Sequence, residues 1–268
     1  MLLAVGSVKG SPGVTTAAVA LAARWPAGDV PVVVECDPAG GDLVARFRLE
    51  PHPGLVSLAA AARRTSVPGL LWQHTQRLPG GLPVVVGAIG GDQAKAALGA
   101  LAASGGTQVF RQAAEAGRGV VVADCGRVES GSAALPVVRA ADALLLVARP
   151  QAEELAHAAA LLPAAAGWCA RAWLVLAGDG YPAREVAREL GVPVLGSLPV
   201  DPKGAGVLAG EPGVRHNPAR SALGRAATAL AVAIRAQHTR PTAGGEPASP
   251  DRLVGTAPGG ALDGRSWP

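Results

Sequence analysis

Apolar residues in this chain gather into short, unbroken runs rich in Val and Leu. These runs are Leu2–Val8, Val32–Glu35, Pro83–Val86, Gly119–Ala123, Ala143–Val147, Trp173–Leu176 and Pro193–Leu198. A strand covered on both faces reads this way, because both of its side-chain sets meet a core. Between the runs lie stretches with helical character: Thr15–Arg24, Gly41–Arg46, Leu55–Arg64, Asp92–Ala103, Thr107–Ala116, Leu135–Ala140, Glu153–Ala166, Ala183–Leu190 and Ala219–Gln237. Strands alternating with helices predict a doubly wound, mostly parallel α/β sheet with helices on both faces. From about His238 the sequence turns rich in Pro, Gly, Thr and Ser and loses periodicity. The expected organisation is one domain over 1–236 and a disordered tail over 237–268. No internal repeat is visible.

Composition narrows the class. With 268 residues, 49% of them hydrophobic, the chain can fill the core of one large α/β domain. No apolar run reaches the ~18 residues of a membrane span, and no basic segment precedes the first run as in a secretory signal. The Ala-rich Ala219–Gln237 stretch, followed by polar sequence, makes a poor membrane anchor. Cys36, Cys125 and Cys169 have neither CxxC nor metal-ligand spacing. Buried, reduced thiols in a cytoplasmic protein are expected, and the histidines, His157 included, read as surface or packing residues. The net charge of +4 is concentrated: Arg215, Arg220, Arg225, Arg235 and Arg240 follow one another with no acid between them. They form either a solvated helix face or a non-specific DNA contact, for which Arg215, Arg220, Arg225 and Arg235 are the candidates.

The chemistry lies at the strand ends, where doubly wound sheets bind ligands. The first run leads into Lys9-Gly10-Ser11-Pro12-Gly13-Val14-Thr15-Thr16 and then into a helix. Strand, Gly-rich loop, hydroxyl pair and helix make the layout of a phosphate-binding P-loop. Glycines let backbone N–H groups turn inward, and the helix N-terminus adds partial positive charge. A Thr at the helix start can ligate Mg²⁺. The position just before the hydroxyl pair, where such loops carry Lys, holds Val14. Lys9, at the loop entrance, is the loop's one lysine in a chain with 21 arginines and three lysines, which suggests that a compact ammonium matters there. A second strand ends at Glu35-Cys36-Asp37-Pro38 and a third at Asp124, giving a candidate water-orienting acid and a metal-side acid. A dinucleotide-binding domain shares part of this layout. The loop, however, reads Gly6-x-x-x-Gly10-x-x-Gly13 rather than GxGxxG, and the Thr pair and Asp124 would go unused.

These residues resemble the ParA/MinD-like family of deviant-Walker P-loop ATPases, most of all its actinobacterial MinD-like branch. The matching segments are Val8–Thr16, Glu35–Leu43, Val122–Asp124, Ala141–Val147 and Gly196–Asp201, spread over roughly 1–236. The resemblance implies ATP and Mg²⁺ as ligands. It implies that Lys9 reaches a partner's nucleotide across a dimer, with Asp37 orienting the attacking water. Gly10, Ser11, Pro12, Gly13, Val14, Thr15 and Thr16 would form the phosphate loop, Thr15 and Asp124 would hold the metal, and Pro199 and Asp201 would flank the adenine. Two departures stand out: Val14 replaces the second loop lysine, and Gly126-Arg127 replaces Pro-Gly or Pro-Pro after the metal-side acid. The implied function is a homodimeric, ATP-dependent switch with slow hydrolysis, acting with a protein partner in partitioning or positioning DNA or protein cargo. The alternative is a scaffold of the same fold that has lost turnover.

Overall fold

The computed structural model describes residues 1–9, 12–209 and 217–238. Gly10, Ser11, Arg215 and the expected tail from residue 239 onward lie outside the described residues.

The strands are β1 (Leu2–Ser7), β2 (Val30–Glu35), β3 (Gln76–Arg77), β4 (Pro83–Val85), β5 (Gly119–Arg127), β6 (Ala143–Ala148), β7 (Ala172–Ala177) and β8 (Val194–Leu198). The helices are α1 (Val14–Ala23), α2 (Leu43–Phe47), α3 (Leu55–Ala62), α4 (Leu70–Gln73), α5 (Gly91–Ala103), α6 (Thr107–Glu115), α7 (Leu135–Ala140), α8 (Ala152–Trp168), α9 (Ala183–Leu190), α10 (Pro202–Ala209) and α11 (Ala222–His238). The strands form one sheet in the order β3-β4-β2-β5-β1-β6-β7-β8, parallel except for the β3–β4 edge pair.

Alternation along each strand divides the core in two. In β1, Leu2 and Ala4 face α3 to α9, while Leu3 and Val5 face α1, α2, α10 and α11. All six residues of β1 are buried, as expected of a central strand with helices on both sides. The alternating arrangement and the mostly parallel sheet agree with the sequence expectation.

Several elements differ from expectation for local reasons. Edge strand β3 is two polar residues long and has no apolar signature. Helix α10 carries Gly204 and Gly206, which mask its helical character in sequence. Strand β5 continues past Asp124 to Arg127, and its pairing with β1 shifts register between Val5 and Ser7. The expected Ala219–Gln237 helix is a 3₁₀ turn at Pro218–Arg220 followed by α11, which ends at His238. His238, where the composition changes, is therefore helical, and Gln237, which falls in both the expected helix and the expected tail, belongs to the helix. The Pro- and Gly-rich sequence begins only after the last helical turn.

Candidate functional site

Parallel pairing brings three strand ends together. Val5 of β1 and Glu35 of β2 both lie opposite Asp124 of β5. The loop leaving β1 enters α1 through Gly13, which holds φ 93° and ψ 41° and gives the helix no side-chain cap. An L side chain is strained in that left-handed conformation, so the turn into α1 requires glycine. Val14, the first helical residue, is only 7% exposed and packs in the core cluster on the α1 side of the sheet. The place where P-loops carry lysine is thus part of the apolar core.

Thr15, one residue on, places its hydroxyl beside Asp124, where it favours the charged carboxyl. Gly126 N–H donates to Asp124 Oδ1 at 3.1 Å. Asp124 is 1% exposed, and its pKa is pushed up to about 7. Burial is the main cause, helped by the charges of Glu35 and Asp37, while the Thr15 hydroxyl and the Gly126 N–H oppose it.

Asp37 is half-buried. Its Oδ1 accepts the Ala39 N–H at 2.8 Å, which fixes the carboxyl in a tight turn. Burial also raises its pKa. The carboxyl sits directly over Gly126, where φ is +57° and any Cβ would overlap it. Glycine at this position therefore lets the Asp37 turn lie against the end of β5 beside Asp124. Arg127, next to it, is exposed and pairs with Glu129 at 3.3 Å.

Glu35 is a brace rather than a ligand group. Its Oε1 accepts N–H groups of Asp42 and Leu43 at 2.7 and 3.0 Å, and its Oε2 accepts Gly87 N–H at 2.8 Å. The end of β2 is thereby tied to the start of α2 and to the exit of β4. Burial raises the Glu35 pKa against these three bonds. Asp201 is structural in the same way. Its Oδ1 accepts Gly204 N–H at 2.8 Å and its Oδ2 accepts Leu223 N–H at 3.1 Å. It caps α10 and α11 together, and these backbone bonds hold its pKa below the usual value.

Lys9 is exposed and donates to His157 Nε2 on α8 at 3.0 Å. Nothing in the sequence links these two residues, 148 positions apart. Pro12, Gly13 and Thr16 share a cavity of about 260 Å³ with Pro199, Val200 and Asp201. Cys36 and Cys125 are buried beside the acids, and burial pushes both thiols up. The arginines do not form one stripe. Among the described residues, Arg220 lies in the 3₁₀ turn and Arg225 in the first turn of α11, whereas Arg235 pairs with Asp29 at 3.0 Å near the helix end, about 15 Å beyond Arg225.

No protein-family model matches the sequence, and no curated protein does. Solved structures do match. A ParA family ATPase from Chlorobium tepidum superposes with a TM-score of 0.69 at 17% identity, covering 86% of this chain and 98% of the other. The cell division ATPase MinD of Pyrococcus furiosus gives 0.65 at 21% identity, covering 88% and 98%. The septum site-determining protein MinD of Pyrococcus horikoshii, complexed with Mg-ADP, gives 0.65 at 18% identity, covering 87% and 95%. The chain has the ParA/MinD-like P-loop ATPase fold.

Proposed function

We propose that the protein is an ATP- and Mg²⁺-binding switch of the ParA/MinD kind, in which nucleotide drives pairing of two copies. The observation that carries this is the Thr15–Asp124 pair: a hydroxyl in the first turn of α1 lies beside a buried acid on the neighbouring strand. Both are hard oxygen donors of the type Mg²⁺ prefers, and Asp124 is a buried carboxyl whose raised pKa a cation would lower again. Thr15 and Asp124 would hold the ion, whose charge when bound offsets that of the phosphates. The start of α1 offers N–H groups to the phosphate oxygens, and Asp37 is placed to orient a water.

Pairing is supported by what surrounds the site. Ile89 and Val200 are 63% and 80% exposed, large for apolar side chains. Ile89 lies against Gly40 beside the Asp37 turn, and Val200 lines the cavity. A second copy covering that end would bury both and bring its own Lys9 over the facing nucleotide. Positioning or partitioning of cargo, with a protein partner, is the role this switch would serve. Val14 favours a second reading, a scaffold without turnover, since no charge comes from that position.

The test is sedimentation of the full chain with Mg²⁺ and either ADP or a slowly hydrolysed ATP analogue. The analogue should produce dimers and ADP should not. Lys9→Ala should reduce analogue-dependent dimerisation more than ADP affinity, and Thr15→Ala should weaken nucleotide binding only when Mg²⁺ is present. A wild-type chain that binds ATP but stays monomeric and does not turn over would give the scaffold reading.

A further inference from the structure

The site is short of positive charge. Glu35, Asp37 and Asp124 converge at the strand ends, and the loop position that would carry a lysine is Val14, packed in the core. Sheet order supplies a cation from elsewhere. β6 is the other neighbour of β1, and Ser7 pairs with Val147. The residue leaving β6 two positions later, Arg149, is level with the start of the loop. It lines the cavity that joins Pro12, Gly13 and Thr16 to Pro199 and Val200. The cavity's other charged residue among those described, Asp201, has both carboxylate oxygens occupied by the N–H groups of α10 and α11.

Arg149 is anchored at its base by Glu154. Its N–H donates to Glu154 Oε2 at 2.8 Å, while Nη1 is 3.9 Å from Glu154 Oε1, with the arginine side chain 49% exposed. A guanidinium presents its N–H donors in a planar fork, the geometry that matches phosphate oxygens. We infer that Arg149 supplies, from the strand beside the loop, the phosphate-contacting cation that Val14 cannot. This rests on the reading that the site binds a nucleotide, and it assigns Arg149 a binding role that no sequence motif marks.

Calorimetric titration of the full chain with Mg·ATP, Mg·ADP and adenosine tests it, using Arg149→Gln, Arg149→Lys and Glu154→Gln. Losing one charge-assisted contact should weaken ATP binding by roughly ten- to a hundredfold in Arg149→Gln. Adenosine affinity should hold in that variant, which also shows that the cavity is intact. Arg149→Lys should recover part of the loss, and Glu154→Gln should bind ATP like wild type. Wild-type ATP affinity in Arg149→Gln would overturn the assignment and leave nucleotide binding standing. Equal losses of ATP and adenosine, or the same loss in Glu154→Gln, would make Arg149 a support for the cavity wall and overturn its phosphate role. A wild-type chain that binds neither ATP nor ADP would overturn both the assignment and the nucleotide reading.

Discussion

Replacing Asp124 with Asn should make the ligand-free protein more stable at neutral and alkaline pH. The carboxyl is buried, and its pKa rises from 3.8 to about 7 in the fold. A raised acid pKa means that the folded chain holds its proton more tightly than the unfolded chain. Stability is then full below pH 4, falls as pH rises towards 7, and levels off above. Each pKa unit corresponds to 1.36 kcal/mol, so the shift of about three units costs about 4 kcal/mol above pH 7. Asn avoids that cost and can keep both contacts, accepting from Gly126 N–H and donating to the Thr15 hydroxyl. The variant should exceed wild type by about 4 kcal/mol at pH 8 and by about 1–2 kcal/mol at pH 5, with almost no difference near pH 3.5. Urea unfolding at these three pH values measures it, and the pH 8 midpoint should move by roughly 1–2 M. Glu35 and Asp37 titrate in both proteins, and the difference between the two reports Asp124 together with its coupling to them. An Asn variant no more stable than wild type at pH 8, or an advantage that does not shrink on acidification, would refute the reasoning.

Gly126→Ala should cost about 1–2 kcal/mol for the left-handed backbone alone. It should also push Asp37 off its Ala39 N–H, so an unchanged urea midpoint would mean that the Asp37 carboxyl does not rest on Gly126 as described. Asp201→Ala removes two helix caps at once and should cost about 2 kcal/mol, read from the thermal or urea midpoint. Because its folded pKa lies below the usual value, the stability Asp201 contributes should be present at neutral pH and fade as pH falls through that pKa. A variant that loses stability only near α10, seen by hydrogen exchange, would show that Leu223 and α11 do not depend on this cap.

The parallel sheet was legible because its strands are buried on both faces and so are apolar without interruption. The same holds for the loop, since a strand running into glycines changes character within one residue, whereas the acid Asp124 does not end β5, which runs on to Arg127. Strand β3 and helix α10 escaped because a two-residue polar edge and a helix with two glycines carry no periodic signal. Asp201 shows where a motif and its geometry part. The family resemblance implies a place beside an adenine, and the fold puts it in the cavity with Pro12, Gly13 and Thr16 while committing both its oxygens to capping.

Sequence by itself determined the alternation of elements, the loop, its hydroxyl pair and the strand-end acids, since each is written in residues next to one another. It also determined that no lysine precedes the hydroxyl pair. Only the tertiary structure decided that Val14 belongs to the core, that Glu35 braces while Asp124 meets Thr15, and that Asp37 rests on Gly126. It alone brought Lys9 to His157 and set Arg149 level with the loop. These pairs come from strands adjacent in the sheet or from helices far along the chain, and pairing order is settled by packing rather than by sequence distance. Chemistry that depends on two strands meeting becomes visible only once the sheet order β2-β5-β1-β6 is known.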